Sequence, residues 1–234
     1  DAWRMTEAEY LAQAPPIMDE LYGPMAVPAA KSIWQTAGPV FAVDAQQHVY
    51  REVWNLKGPL GVNERSLATV SALVALGLYP QIKLHINGFI SSGGTLEQLG
   101  GFVGIAAEEA RVGKRDELAS AIVAGFQWRA QAVGGLKVPT VAEVRRLMKR
   151  SGAVTARQAL VARFAADVAC GDLKRLKKNM TALAESLPSG TDRDAVIDHL
   201  ITHLVVYCGY PRGFNAFIEW QKLRQEKGWA PAGR

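Results

Sequence analysis

The chain has 234 residues, of which 49% are hydrophobic and 21% charged, and a formal net charge of +5. That usage is ordinary for a globular protein and excludes a disordered or collagen-like chain. No run of about 18 uninterrupted apolar residues exists to span a membrane. The length suits one large domain or two small ones, with a core that needs no disulfide staple.

Apolar periodicity predicts helix almost throughout, so the expected fold class is all-α. Thr6-Glu7-Ala8-Glu9 reads as a capping box opening a helical run over 6–22, with Tyr10, Leu11, Ile17, Met18 and Leu21 along it. Pro15 and Pro16 split that run. Residues 23–43, with their prolines and small side chains, predict a loop with short turns. A helix over about 44–56 ends at the breaker Lys57-Gly58-Pro59-Leu60-Gly61. Asn63 is the expected cap of an apolar helix to Leu78. After the turn Tyr79-Pro80, a helix over about 81–91 carries His85. Thr95 caps a third helix reaching Val112, and another covers about 115–132.

The stretch from Gly134-Gly135 to Pro139 is the best internal boundary. Thr140 caps a short basic helix, 141–150, and helices follow at about 155–170, 172–186, 192–208 and 212–226. The two halves share one pattern: helix, turn, helix, Gly break, long helix. Gly77 aligns with Gly171, and His85 with Asn179 at the same offset. The organisation read from this is an N-terminal extension (1–44), a first repeat (45–133), a linker (134–154), a second repeat (155–226) and a frayed tail (227–234).

Three stretches carry a resemblance. The first is Arg51-Glu52-Val53-Trp54 followed by Gly58-Pro59-Leu60. The second is Glu64-Arg65-Ser66-Leu67-Ala68-Thr69-Val70, then Ala75-Leu76-Gly77, His85 and Gly94-Thr95-Leu96-Glu97-Gln98-Leu99. The third is His203, Tyr207-Cys208-Gly209-Tyr210-Pro211 and Asn215-Ala216. In order and spacing these resemble the carboxymuconolactone decarboxylase family, which has an AhpD-like helical fold. The opening half of the motif set lies in the first repeat and the closing half in the second. Ile105, Glu109, Arg111 and Gly113 stand where the first repeat would carry the closing His, Tyr, Gly and Pro. The resemblance therefore implies a fused two-repeat member. One composite site is expected where the long helix of the second repeat meets the His85 helix.

The resemblance implies a cofactor-free, metal-free lyase acting on a carboxylated unsaturated lactone or a related enolisable small acid. The alternatives are an isomerase or cyclase of a biosynthetic pathway on the same fold, or a non-catalytic ligand-binding or assembly subunit. Such chemistry needs a proton moved at carbon and an enolate oxygen stabilised. His85 and His203 are the candidate catalytic residues. Arg65 is a candidate carboxylate clamp, Tyr207 a donor and Trp54 a pocket wall; Ser66 follows the Arg at the motif. Glu108-Glu109, inside an apolar helix, either faces a pocket or marks a solvated edge. Each of the others also has a plain reading: a core histidine, a surface arginine, packing aromatics. His199, at i, i+4 from His203, is expected at a surface or interface.

The peroxidase branch of the fold needs a C-x-x-C pair before the His, and Leu78 and Gln81 occupy those positions. A dithiol peroxidase is rejected on that ground. The family implies oligomers, and a fused pair suggests a homotrimer. No nucleic-acid or membrane partner is expected, and the default setting is cytoplasmic. The basic runs Arg145, Arg146, Lys149, Arg150 and Lys174, Arg175, Lys177, Lys178 read as solvated or subunit-facing surface.

Overall fold

The computed structural model describes residues 4–229, and among them every regular element is helical. The all-α expectation holds. The Thr6–Glu9 capping box is formed and opens α1 (Glu7–Ala12). Pro15 and Pro16 separate α1 from α2 (Ile17–Tyr22).

The expected loop over 23–43 is instead helical. A single 3-10 turn, Gly23–Met25, leads into α3 (Ala26–Ala37) and α4 (Pro39–Asp44). Pro24, Pro28 and Pro39 fall in first turns, where no backbone N–H is needed, so they start helices rather than break them. α4 continues into a π-helix, Ala45–Trp54, that places Gln46, Tyr50 and Trp54 on its buried side. The π form is uncommon and concentrates at functional sites.

α5 (Val62–Leu76) is capped by Gly61, not by Asn63. The Asn63 amide donates to the Phe89 carbonyl (3.3 Å) and the Ser92 hydroxyl (3.2 Å), tying the start of α5 to the end of α6 (Tyr79–Ser91). Pro80 lies in the first turn of α6, so that helix starts earlier than expected. α7 (Leu96–Glu109) opens on a Thr95–Gln98 capping box and ends before Val112, because Arg111 turns the chain at φ 56°. α8 (Arg115–Val133), α9 (Val141–Leu147), α10 (Ala156–Cys170), α11 (Leu173–Ser186), α12 (Arg193–Cys208) and α13 (Tyr210–Lys227) complete the chain. Of the expected frayed tail, residues 230–234 lie outside the described residues, as do residues 1–3 of the N-terminal extension.

α5 and α10 pack on each other at the centre, and each is buried on most of its circumference. α6 and α7 lie against α5, while α7 and α11 lie against α10, and α12 packs on α5. Both central helices end in a left-handed glycine, Gly77 (φ 68°) and Gly171 (φ 70°). The residue after each glycine then donates back to the helix: Leu78 N to Leu73 O (3.0 Å) and Asp172 N to Asp167 O (3.1 Å).

A second apolar cluster lies over this core. It is built from Tyr10, Met18, Tyr22, Met25, Tyr50 and Trp54, and Leu84, Trp128 and Tyr207 pack against it. The N-terminal segment is therefore a packed layer across α6, α8 and the π-helix. The basic runs are partly neutralised within the chain. Arg175 pairs with Asp172 (2.8 Å), Lys177 with Glu226 (2.7 Å) and Arg145 with Asp116 (2.9 Å).

The glycines of α7 let α9 approach closely: a Cβ on Gly104 would collide with the Met148 carbonyl oxygen. Gly104→Ala is expected to lower unfolding free energy in urea by about 2 kcal/mol. Gly113→Ala, where nothing lies within 4 Å, is expected to change it by less than about 0.5 kcal/mol.

Candidate functional site

α6 presents His85, α12 presents His199, His203 and Tyr207, α5 presents Arg65, Ser66 and Thr69, and the π-helix presents Tyr50 and Trp54. At the centre stands Tyr207. The His85 ring lies edge-on to it at 5.2 Å and the His203 ring is tilted at 5.6 Å, centroid to centroid. The Trp54 indole N–H donates to the Tyr207 hydroxyl (2.9 Å), and the Trp54 ring stands edge-on to His203 at 4.5 Å. Because Trp54 occupies an acceptor site of that hydroxyl, the Tyr207 proton remains available for donation.

Arg65 is buried beneath this group. Its Nη1 donates to the Trp54 carbonyl (2.6 Å), its guanidinium lies 5.1 Å from the Trp54 ring centroid, and its Nε has no hydrogen-bond partner. Thr69, one turn further along α5, holds His203: Thr69 Oγ1 and His203 Nε2 are 2.8 Å apart, and His203 Nδ1 has no partner. Ser66 faces α6 at Gly88, with its hydroxyl buried and unpartnered.

The electrostatics follow from burial. Burial holds the His85 pKa down at about 4. His203 lies well below the ordinary imidazole value, first through burial and then through the Arg65 cation and the neighbouring histidines. Both rings are thus neutral at pH 7. Burial pushes the Tyr207 hydroxyl up to about 12, against opposing contributions from Trp54, Thr69 and Arg65, so it stays protonated. Burial also lowers Arg65, which nonetheless keeps its charge. The cluster therefore combines neutral imidazole acceptors, a phenolic donor and one buried cation.

The structure separates Glu108 and Glu109 from this group, against the expectation that either might face the same pocket. Glu108 lines a surface groove with Arg115, Arg145 and Lys149. Glu109 is consumed by Arg163 (2.6 Å) and Arg175 (3.8 Å) between α7, α10 and α11. Beside that pair, Asn179 donates to the buried Asp167 (2.6 Å). Burial raises the Asp167 carboxyl to about 6. His199 is likewise corrected: it is buried, not at a surface, and its imidazole packs on the Gly58 backbone with both nitrogens unpartnered.

Thr69, Tyr22 and Tyr50 belong to the site but escape the motif reading. Thr69 could have been found by its helical spacing from Arg65, and Tyr50 by its spacing from Trp54. Tyr22 carries no local signal, since its 3.2 Å hydroxyl contact to Tyr50 spans 28 residues. Burial and the adjacent tyrosines, Tyr207 included, raise both hydroxyls. Among the described residues no group of three or more His, Cys, Asp or Glu could hold a metal ion. No helix there is long and apolar enough to cross a membrane. Burial pushes the Cys208 thiol up to about 12, away from a reactive thiolate.

No protein-family model matches the chain, and no curated protein matches it either.

Thr69→Val, which leaves His203 Nε2 unpartnered in the core, is expected to cost about 1–3 kcal/mol in chemical denaturation. The histidines also predict a pH dependence of stability. Unfolded, they titrate near the ordinary value of about 6.5. Between that value and about 4 the unfolded chain binds more protons than the native one, so stability falls as pH falls through this window. Melting temperature should drop across it, and less steeply in His85→Gln.

Proposed function

We propose that the Tyr207-centred cluster is an acid/base site that moves a proton on a small enolisable acid. The reading is a cofactor-free lyase of the kind the carboxymuconolactone decarboxylase resemblance implies, acting on a carboxylated unsaturated lactone or a related acid. The observation that carries it is the convergence of His85 and His203 on one protonated tyrosine, from helices far apart in sequence. In this reading the two helical halves are degenerate repeats that contribute one composite site.

The roles follow from the protonation states. The substrate carboxylate leaves as CO2, its electron pair enters the conjugated lactone as an enolate, and the neutral His85 imidazole relays a proton from water to the carbon that lost the carboxylate. Tyr207 donates to the oxygen on which negative charge develops, with Trp54 fixing the orientation of the hydroxyl. Arg65 supplies a buried positive charge for a carboxylate, and Thr69 fixes His203 beside it. The depressed imidazole pKa values favour a second reading, isomerisation. A neutral base that first removes a proton and then returns it elsewhere is better matched to that chemistry than a pre-protonated acid.

A panel of unsaturated lactone acids, assayed by mass spectrometry for CO2 loss or mass-neutral conversion, tests the reading. His85→Gln and Tyr207→Phe should each lower turnover about 100-fold or more while remaining folded by circular dichroism. Because His85 works in its neutral form, kcat/KM should be flat at neutral pH and fall only as pH approaches about 4. Full activity in both variants would refute the assignment.

A further inference from the structure

A cavity of about 500 Å³ opens between α7, α8 and the end of α9, lined in part by Gly104, Glu108, Arg115, Arg145, Met148 and Lys149. We propose that this groove is a binding site for a small carboxylate that also carries a hydrogen-bond donor, such as a hydroxy acid.

The cations converge without being consumed. Arg115 is held by backbone carbonyls alone: its Nε donates to Val112 O (3.1 Å) and its Nη1 to Gly104 O (3.3 Å). Among the described residues no carboxylate is bonded to Arg115 or Lys149. Arg145 pairs with Asp116 at 2.9 Å, but both side chains are largely exposed, so that pair competes weakly with a ligand. Glu108 also lines the groove, makes no ion pair among the described residues, and supplies an acceptor for a ligand hydroxyl. A fixed guanidinium with a lysine beside it suits a carboxylate, and the volume matches small-molecule sites.

The space has a structural cause. On α12, His199 lies on Gly58 and His203 lies against Trp54, and together they fill the face that α12 turns to the loop before α5. On α7, Gly101 lies against the loop before α10, at Val154 and the Arg150 carbonyl, and Ile105 lines the groove. At those two positions no large polar side chain fills the space, and the groove stays open. Its charge balance, three cations against Glu108, favours an anion.

Isothermal titration of the intact protein with L-malate tests the proposal. Saturable binding is expected, weakened about tenfold or more in the double variant Arg145→Ala/Lys149→Ala, whose exposed positions leave the fold intact. Succinate, which lacks the hydroxyl, should bind several-fold more weakly. His85→Gln should bind malate as the wild type does. No saturable binding below about 10 mM would overturn the proposal. So would unchanged affinity in the double variant, or a loss of affinity in His85→Gln that moves the ligand to the histidine cluster. Equal affinity for succinate would contradict the donor requirement.

Discussion

The hydrogen bond from the Trp54 indole to the Tyr207 hydroxyl, 2.9 Å long, joins residues 153 positions apart and lies where four parts of the chain meet. Trp54 closes the π-helix and belongs to the N-terminal apolar cluster. Its carbonyl takes the Arg65 guanidinium of α5, and its ring stands against His203 of α12. Tyr207, in turn, touches His85 of α6. Breaking the bond would free an indole N–H in the core, strip the orienting donor from the tyrosine and loosen the histidines around it. A buried polar network of this kind fixes geometry when its members are satisfied and is costly when they are not.

The same network explains the charge states. Burial disfavours a charge on either imidazole, and at His203 the Arg65 cation adds to it, so both histidines are held neutral. The buried arginine is tolerable because carbonyl and ring partners replace part of its water. Between α7, α10 and α11 the ground is charged instead: Glu109, Arg163, Arg175, Asp167 and Asn179 form an ion-pair and hydrogen-bond cluster. The first cluster holds aromatic and imidazole groups with unpartnered polar atoms. The second is stitched internally by its ion pairs.

Helix starts are legible in the sequence wherever the cap is local, as at Thr6, Thr95, Thr140 and Thr155. Asn63 misleads because its amide has a tertiary partner at the end of α6 that outbids the cap. The prolines of 23–43 look like loop punctuation until their first-turn positions are known. His85, His203, Trp54 and Tyr207 stand out as rare residue types in spaced motifs. Thr69 and Tyr22 do not, because their roles depend on which helices cross. Glu109 reads as an anomaly in an apolar helix, and its arginine partners come from α10 and α11, beyond the reach of local pattern.

The account turns on neutral imidazoles gathered around a protonated tyrosine. Carbon-detected NMR titration of the histidine side chains, with assignment by single substitution, tests this most directly. The account predicts that His85 titrates near 4 and that His203 titrates well below the ordinary imidazole value. Titration of both rings near the ordinary value of about 6.5 would contradict it.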